Sequence, residues 1–205
     1  MFNQVIVVDD FYPNPNEILM IANAFETEEE SGGNYSGIMT KMPFFQPEHQ
    51  KIFHKLTGDV LFPATQLNGK FRFSLASETS KQDIHFDPGL NCAWAGIVYL
   101  QNTEKLPDGD NEYGTHFWKH KRTDLSSIPL TQEGIELYGW KNVDDLKVFL
   151  ETDGLDRSLW EETLYVPYKF NRLVLFRPWM FHSPGKNFGD TKENCRVLQT
   201  FFLSV

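Results

Sequence analysis

The stretch "DIHFDPGL", residues 83–90, decides how the rest of the chain is read. It sets His85 and Asp87 two positions apart, with apolar Ile84 and Phe86 beside and between them. Side chains alternate across an extended segment, so positions i and i+2 share a face. An imidazole and a carboxylate then point one way while Ile84 and Phe86 pack the other way. Both are good ligands for a first-row metal. The Asp-Pro-Gly ending equally suits a strand that merely turns a corner, so the pair gains meaning only from partners elsewhere.

Around that stretch, 205 residues suffice for one sizeable core and are few for two, so a single domain over 1–205 is expected. The composition, 40% hydrophobic and 23% charged, is that of a globular protein, and 18 Phe suit a β-rich interior. A net charge of −9 argues against a nucleic-acid backbone or an anionic membrane as partner. The one basic cluster, "KHKR" (119–122), is expected to be a solvated loop. Two cysteines, Cys92 and Cys195, make no disulfide framework, which favours a reducing compartment. The opening "MFNQVIVVDDFYP" lacks the basic and apolar regions of a signal peptide. No run approaches the ~18 apolar residues of a membrane span. A cytoplasmic location follows by elimination.

Residues 4–8, "QVIVV", predict a strand, and "NPNEILMIANAFE" (14–26) a helix packed by one face. "EEESGGNYSG" (28–37) is expected as an acidic loop, and a second helix begins near Pro47. His49 and His54 on it are five apart, share no face well and are expected to be structural. From Gly69 the texture becomes short β-like runs: "KFRFSLA", "IHFD", "CAWAGIVYL", "GTHFWKH", "NRLVLF", "MFHSP" and "RVLQTFFLSV". Such runs predict a sandwich or barrel. The exception is 123–163, where Asn142 caps a helix ending at Gly154, and where "TQEGIELYGW" and "DRSLWEE" also look helical. Tyr138, Trp140 and Trp160 in this insertion fit either a substrate lid or anchors for its helices.

A third ligand stands far downstream in "FRPWMFHSPGKNFG", at His182. His85, Asp87 and His182 would form a two-histidine, one-carboxylate triad, the facial arrangement that leaves positions open on Fe(II). Each imidazole should fix its second nitrogen on an acceptor. Arg196 heads the strand "RVLQTFFL", sharing a face with Leu198, Thr200 and Phe202. A guanidinium there is costly unless its head reaches solvent or something anionic meets it. His116 and His120 lie in a strand-like run whose spacing is expected to split them across its faces, so both are expected to be structural. Cys92 and Cys195 are expected as small buried residues.

The order His-x-Asp, distant His, then Arg in a strand-rich chain resembles the iron- and 2-oxoglutarate-dependent oxygenases, the prolyl-hydroxylase-like branch in particular. "VIVVDDFYPNPNEI" resembles that superfamily's strand-then-helix opening, and "WAGIVYLQN" the strand after its His-x-Asp. "GTHFWKH" and "FNRLVLFRPWMFHSPG" resemble later strands, so the likeness spans most of 4–120 and 165–205. It implies a mainly β, double-stranded β-helix (jelly-roll) with N-terminal helices and a helical insertion at 123–163. It implies Fe(II) on His85, Asp87 and His182, 2-oxoglutarate paired with Arg196, and oxygenation, most simply hydroxylation, of a small-molecule or peptidyl substrate. Two positions depart from the family pattern: Leu198 replaces a Ser or Thr, and Gln82 replaces a Tyr. Two other classes stay open on the residues: a zinc jelly-roll that hydrolyses or isomerises, and a non-catalytic binding module.

Overall fold

Strand β1 (Val5–Val8) leads into helix α1 (Pro15–Ala24), which takes Pro at its start, where the missing N–H costs nothing. The computed structural model describes residues 4–29, 35–87, 91–102 and 112–205. Strands β2 (Thr27–Glu29) and β3 (Ile38–Thr40) follow, then helix α2 (Pro47–Thr57). At its start the Gln46 N–H donates to His49 Nδ1, and at its end Gly58 adopts φ 82°, the left-handed turn that stops helices without strain. Next come β4 (Phe62–Pro63), β5 (Phe71–Ser74), β6 (Trp94–Tyr99) and β7 (Thr115–His120). Helices α3 (Gln132–Leu137) and α4 (Val143–Asp153) and a 3-10 turn (Arg157–Leu159) precede β8 (Trp160–Val166). The chain closes with β9 (Leu173–Phe176), β10 (His182–Pro184) and β11 (Arg196–Ser204).

The protein is mostly antiparallel sheet with few helices. An eight-stranded sheet runs β1-β9-β6-β11-β5-β3-β2, with β4 also on β11, and a three-stranded sheet runs β10-β7-β8. The period-2 alternation of β11 explains the layering. Val197, Phe201 and Leu203 turn outward into a core with Phe53 of α2 and Ala22 of α1. Leu198 turns inward to a second core with Ala95, Tyr99, Val174 and Phe176 of the large sheet and Phe117 and Val166 of the small one. A third core lies on the other side of the small sheet, where Trp118, Trp160 and Phe181 meet Leu146, Phe149 and Leu150 of α4. The order of layers is therefore helices, large sheet, small sheet, helices.

Several expectations are corrected. "IHFD" is no strand but an isolated bridge at His85, and "DRSLWEE" is the 3-10 turn running into β8. Pairing with β7, from His120↔Trp160 to Thr115↔Val166, overrides local helical preference there. The acidic loop begins later than expected, since residues 27–29 form β2 against β3. Residues 30–34 of it, and the Pro-Gly-Leu ending at 88–90, lie outside the described residues. Cys92 and Cys195 are free and buried. Among the described residues, no helix is long and apolar enough to cross a membrane.

Candidate metal centre

His85 and His182 face each other as a bridge pair, each N–H donating to the other's carbonyl at 2.9 Å. Asp87 is held by its own N–H on the Pro178 carbonyl at 2.8 Å. The alternation expected around residue 85 survives without a strand: Ile84 and Phe86 enter the helix-facing core, while His85 and Asp87 turn to the cavity. One ligand atom from each of His85, Asp87 and His182 lies within 4.8 Å of the others. Asp87 Oδ2 is 3.4 Å from His182 Nε2, and Oδ1 is 3.9 Å from His85 Nε2.

The ring orientations fit a cation. His85 Nδ1 sits 2.8 Å from the Asp83 carbonyl, and His182 Nδ1 2.8 Å from that of Met180. A carbonyl only accepts, so each Nδ1 carries a proton, and Nε2 is the nitrogen each ring turns toward the centre. Burial pushes His85 down to about 4, and the neighbouring His182 adds to this, so the ring stays neutral as a ligand must be. Burial alone would raise the Asp87 carboxyl, yet positive charge at the position of His182, and to a smaller degree at that of His85, holds it below its ordinary range, as a cation between them would. Phe176 packs on the His182 ring at 4.5 Å, and Tyr35 meets His85 edge-on at 5.0 Å. The donor set, two imidazoles and a carboxylate, suits a first-row divalent metal.

The triad lines a cavity of about 480 Å³ between the sheets. Arg196, Leu198, Thr200 and Phe202 border it, the face of β11 expected from alternation. Arg196 is only 3% exposed, and its Nε and Nη2 are buried without a hydrogen-bond partner among the described residues. Burial lowers its guanidinium from the ordinary range, and Arg72 across the sheet adds to this. A buried charge without an anion costs several kcal/mol, on the order of a broken ion pair, a cost that an anionic group in the cavity would offset.

Other residues shape the site, among them Tyr99, Thr115, Arg72 and Tyr35, to which the sequence assigned no role there. Tyr99 lies under the Arg196 guanidinium, 5.8 Å from ring centre to carbon, and its hydroxyl pairs with Thr115 Oγ1 at 2.7 Å. Thr115 lines the cavity, and so do Leu198 and Gln82, the two departures from the family pattern. Arg72 borders it too and stands over the Tyr35 ring. Inward alternation on β6 and β7 was the available signal for Tyr99 and Thr115; Tyr35 had none.

His116 and His120 stay apart from the centre, though the reason differs from the one expected. Even spacing on a strand puts both on the helix-facing side, not on opposite faces. His116 stacks on Trp118 and binds Glu162 at 2.6 Å, while His120 meets Phe149, Trp160 and Asp153. His49 is buried against Tyr12, and His54 binds the Asp59 carbonyl. The "KHKR" cluster is paired locally, Lys119 with Asp124 and Arg122 with Asp153.

By sequence, the chain belongs to the family described as "Family of unknown function (DUF6445)", whose model matches residues 2–189. No curated protein matches it. Among solved structures it is similar to HygX from Streptomyces hygroscopicus, determined with nickel and 2-oxoglutarate bound. The identity is 11%, the TM-score 0.46, and the match covers 98% of this chain and 82% of that one. It is similar to an N-substituted L-amino acid dioxygenase from Burkholderia ambifaria AMMD at 14% identity and TM-score 0.44, covering 98% and 82%. A third likeness is the Fe(II)/α-ketoglutarate-dependent dioxygenase TqaL, at 10% identity and TM-score 0.45, covering 98% and 83%.

Proposed function

We propose that the protein is an Fe(II)- and 2-oxoglutarate-dependent oxygenase, a hydroxylase of a small-molecule or peptidyl substrate. The observation that carries this reading is one cavity holding both the triad and the orphaned guanidinium of Arg196. His85, Asp87 and His182 hold the metal, the carboxylate offsetting one of its two charges. Arg196 takes the distal carboxylate of 2-oxoglutarate through its guanidinium fork. Bound together, Fe(II) and 2-oxoglutarate would let dioxygen oxidise cosubstrate and substrate at once, one oxygen atom going to the cosubstrate as it loses carbon dioxide to become succinate and the other to the substrate. Leu198 gives the cosubstrate no hydroxyl; the neutral Tyr99 phenol, which burial pushes up to about 12, and Thr115 stand in that region instead. The apolar wall of Ala95, Ile97, Phe176 and Phe202 keeps water from the centre. In this reading the chain is one domain, the two facing sheets are those of a double-stranded β-helix of the prolyl-hydroxylase-like kind, and α3–α4 is its insertion.

Anaerobic titration with Fe(II), with and without 2-oxoglutarate, tests it. A metal-to-ligand charge-transfer band should develop only when both are present. Replacing His85, Asp87 or His182 by Ala should abolish it, and His116→Ala should not. Iron binding without the band, alongside zinc retained on purification, would move the protein to the hydrolytic class.

A further inference from the structure

We propose that the helical insertion is a brace for the metal centre, in which Arg157, acting through Asp83, is a positioning residue for the ligand His85. This rests on the assignment of His85, Asp87 and His182 as metal ligands.

The two histidines are supported very differently. His182 lies in β10, paired with β7 across three residues. His85 lies on no strand: its backbone is held by the single bridge to His182. With that bridge and the Asp87 N–H on the Pro178 carbonyl as its bonds to the sheet side, the segment opens easily unless something else holds it. That support comes from the insertion. The Ile84 N–H donates to the Gly154 carbonyl at 3.0 Å, just after α4. The two backbones approach so closely that a Cβ on Gly154 would stand 2.5 Å from the Ile84 oxygen. Ile84 and Phe86 pack with Leu146, Phe149 and Leu150 of α4.

Asp83 is the joint between this brace and the ligand. Its carboxylate receives Arg157 in a two-pronged pair, Nε to Oδ2 at 2.6 Å and Nη2 to Oδ1 at 2.9 Å. Its backbone carbonyl receives His85 Nδ1 at 2.8 Å. Arg157 is itself seated over the Trp118 ring at 5.4 Å, in the 3-10 turn between α4 and β8. The chain Arg157–Asp83–His85 therefore fixes both the tautomer and the rotation of the imidazole. His182 has a backbone acceptor too, but its Met180 carbonyl carries no such side-chain clamp.

The insertion's aromatics agree with this role. Trp140 and Trp160 pack in the core beside α4, and Tyr138 stacks on Trp140 at 5.6 Å. None of the three lines the cavity; within 123–163 the described lining residue is Arg157. A lid would present its rings to the substrate.

Co(II) binding to the full chain, followed by visible absorption and by competition with a chelator, tests the proposal without turnover. Arg157→Ala should weaken Co(II) by about 10–100-fold, the cost usual for losing an outer-sphere partner, and shift the Co(II) bands. Arg157→Lys, which keeps charge but not the fork, should fall between. The exchanged pair Asp83→Arg with Arg157→Asp should bind Co(II) better than either single variant. Arg122→Ala, which breaks a different ion pair of the insertion, should match the parent. Thermal melting of the metal-free proteins accompanies each titration. A lowered melting temperature with parental Co(II) affinity and spectrum in Arg157→Ala would overturn the proposal. If Arg157→Ala does not fold, Arg157→Lys and the exchanged pair decide on the same criteria. His85→Ala separates the two levels. If it binds Co(II) like the parent, the metal assignment itself fails; if it does not while Arg157→Ala does, only the brace fails.

Discussion

At the scale of the residue, Arg196 and Asp9 are opposite uses of charge. Arg196 keeps a guanidinium buried with two donors unanswered among the described residues, which is a cost to the ligand-free fold that a bound anion would offset. Arg196→Leu should therefore weaken 2-oxoglutarate binding to the iron-loaded protein by ~2–3 kcal/mol, the scale of a charge-assisted hydrogen bond. The same change should raise the melting temperature of the ligand-free protein, because replacing a buried charge with an apolar side chain removes its desolvation cost. A variant that loses stability and keeps 2-oxoglutarate affinity would contradict both halves. Asp9 is paired: Arg172 Nε reaches it at 2.6 Å and Lys169 Nζ at 2.8 Å. Arg172, then Lys169, hold its carboxyl well below the usual carboxylate range. A depressed folded value makes the contribution complete above the unfolded value of about 4, and it fades as pH falls from there toward the folded one. Asp9→Asn should lower the melting temperature at neutral pH, with the gap to the parent closing as the solution is acidified. A gap that widened in acid would reverse the sign.

Between residue and fold stand the elements, and α4 is the informative one. Asn142 was legible as its cap, and its side chain accepts from the Asp144 and Asp145 N–H groups. What α4 is for was not legible. Its buried residues Leu146, Phe149 and Leu150 could serve a lid or an anchor equally well; contact with Ile84, Phe86 and Phe181 makes it an anchor. Leu146→Ala should cost ~2–5 kcal/mol in chemical denaturation, as a fully buried leucine does. Leu137→Ser on α3, whose side chain is 80% exposed, should leave stability within about 0.5 kcal/mol. If Leu146→Ala proves as mild as Leu137→Ser, the insertion is loosely attached and the brace loses its footing.

For the whole molecule, the decisive arrangement is two antiparallel sheets closing on one cavity, with the three residues of the candidate metal centre brought from opposite ends of a long excursion. Asp87 leaves the centre, the chain builds β6, β7, α3, α4, β8 and β9, and His182 returns to pair with His85. The excursion is not an appendage, because its helices pack behind the segment that carries His85. Replacing α3 and α4 by a short flexible linker should therefore cost metal affinity as well as stability. A shortened protein that folds and binds Co(II) like the parent would return the insertion to decoration.

What the sequence determined by itself was what neighbours along the chain can settle. Alternation placed Arg196, Leu198, Thr200 and Phe202 on one face of β11, and set His85 and Asp87 against Ile84 and Phe86. Pro15, Pro47 and Asn142 marked helix starts, because capping involves only the first turn. Only the tertiary structure decided the rest. It made a strand of Trp160–Val166, because β7 offers it a partner. It buried Arg196 with Nε and Nη2 unpaired among the described residues, placed Tyr35 on His85, and joined Arg157 to Asp83. Each of these rests on contacts between residues far apart in the chain, and local pattern carries no record of which distant surface will arrive.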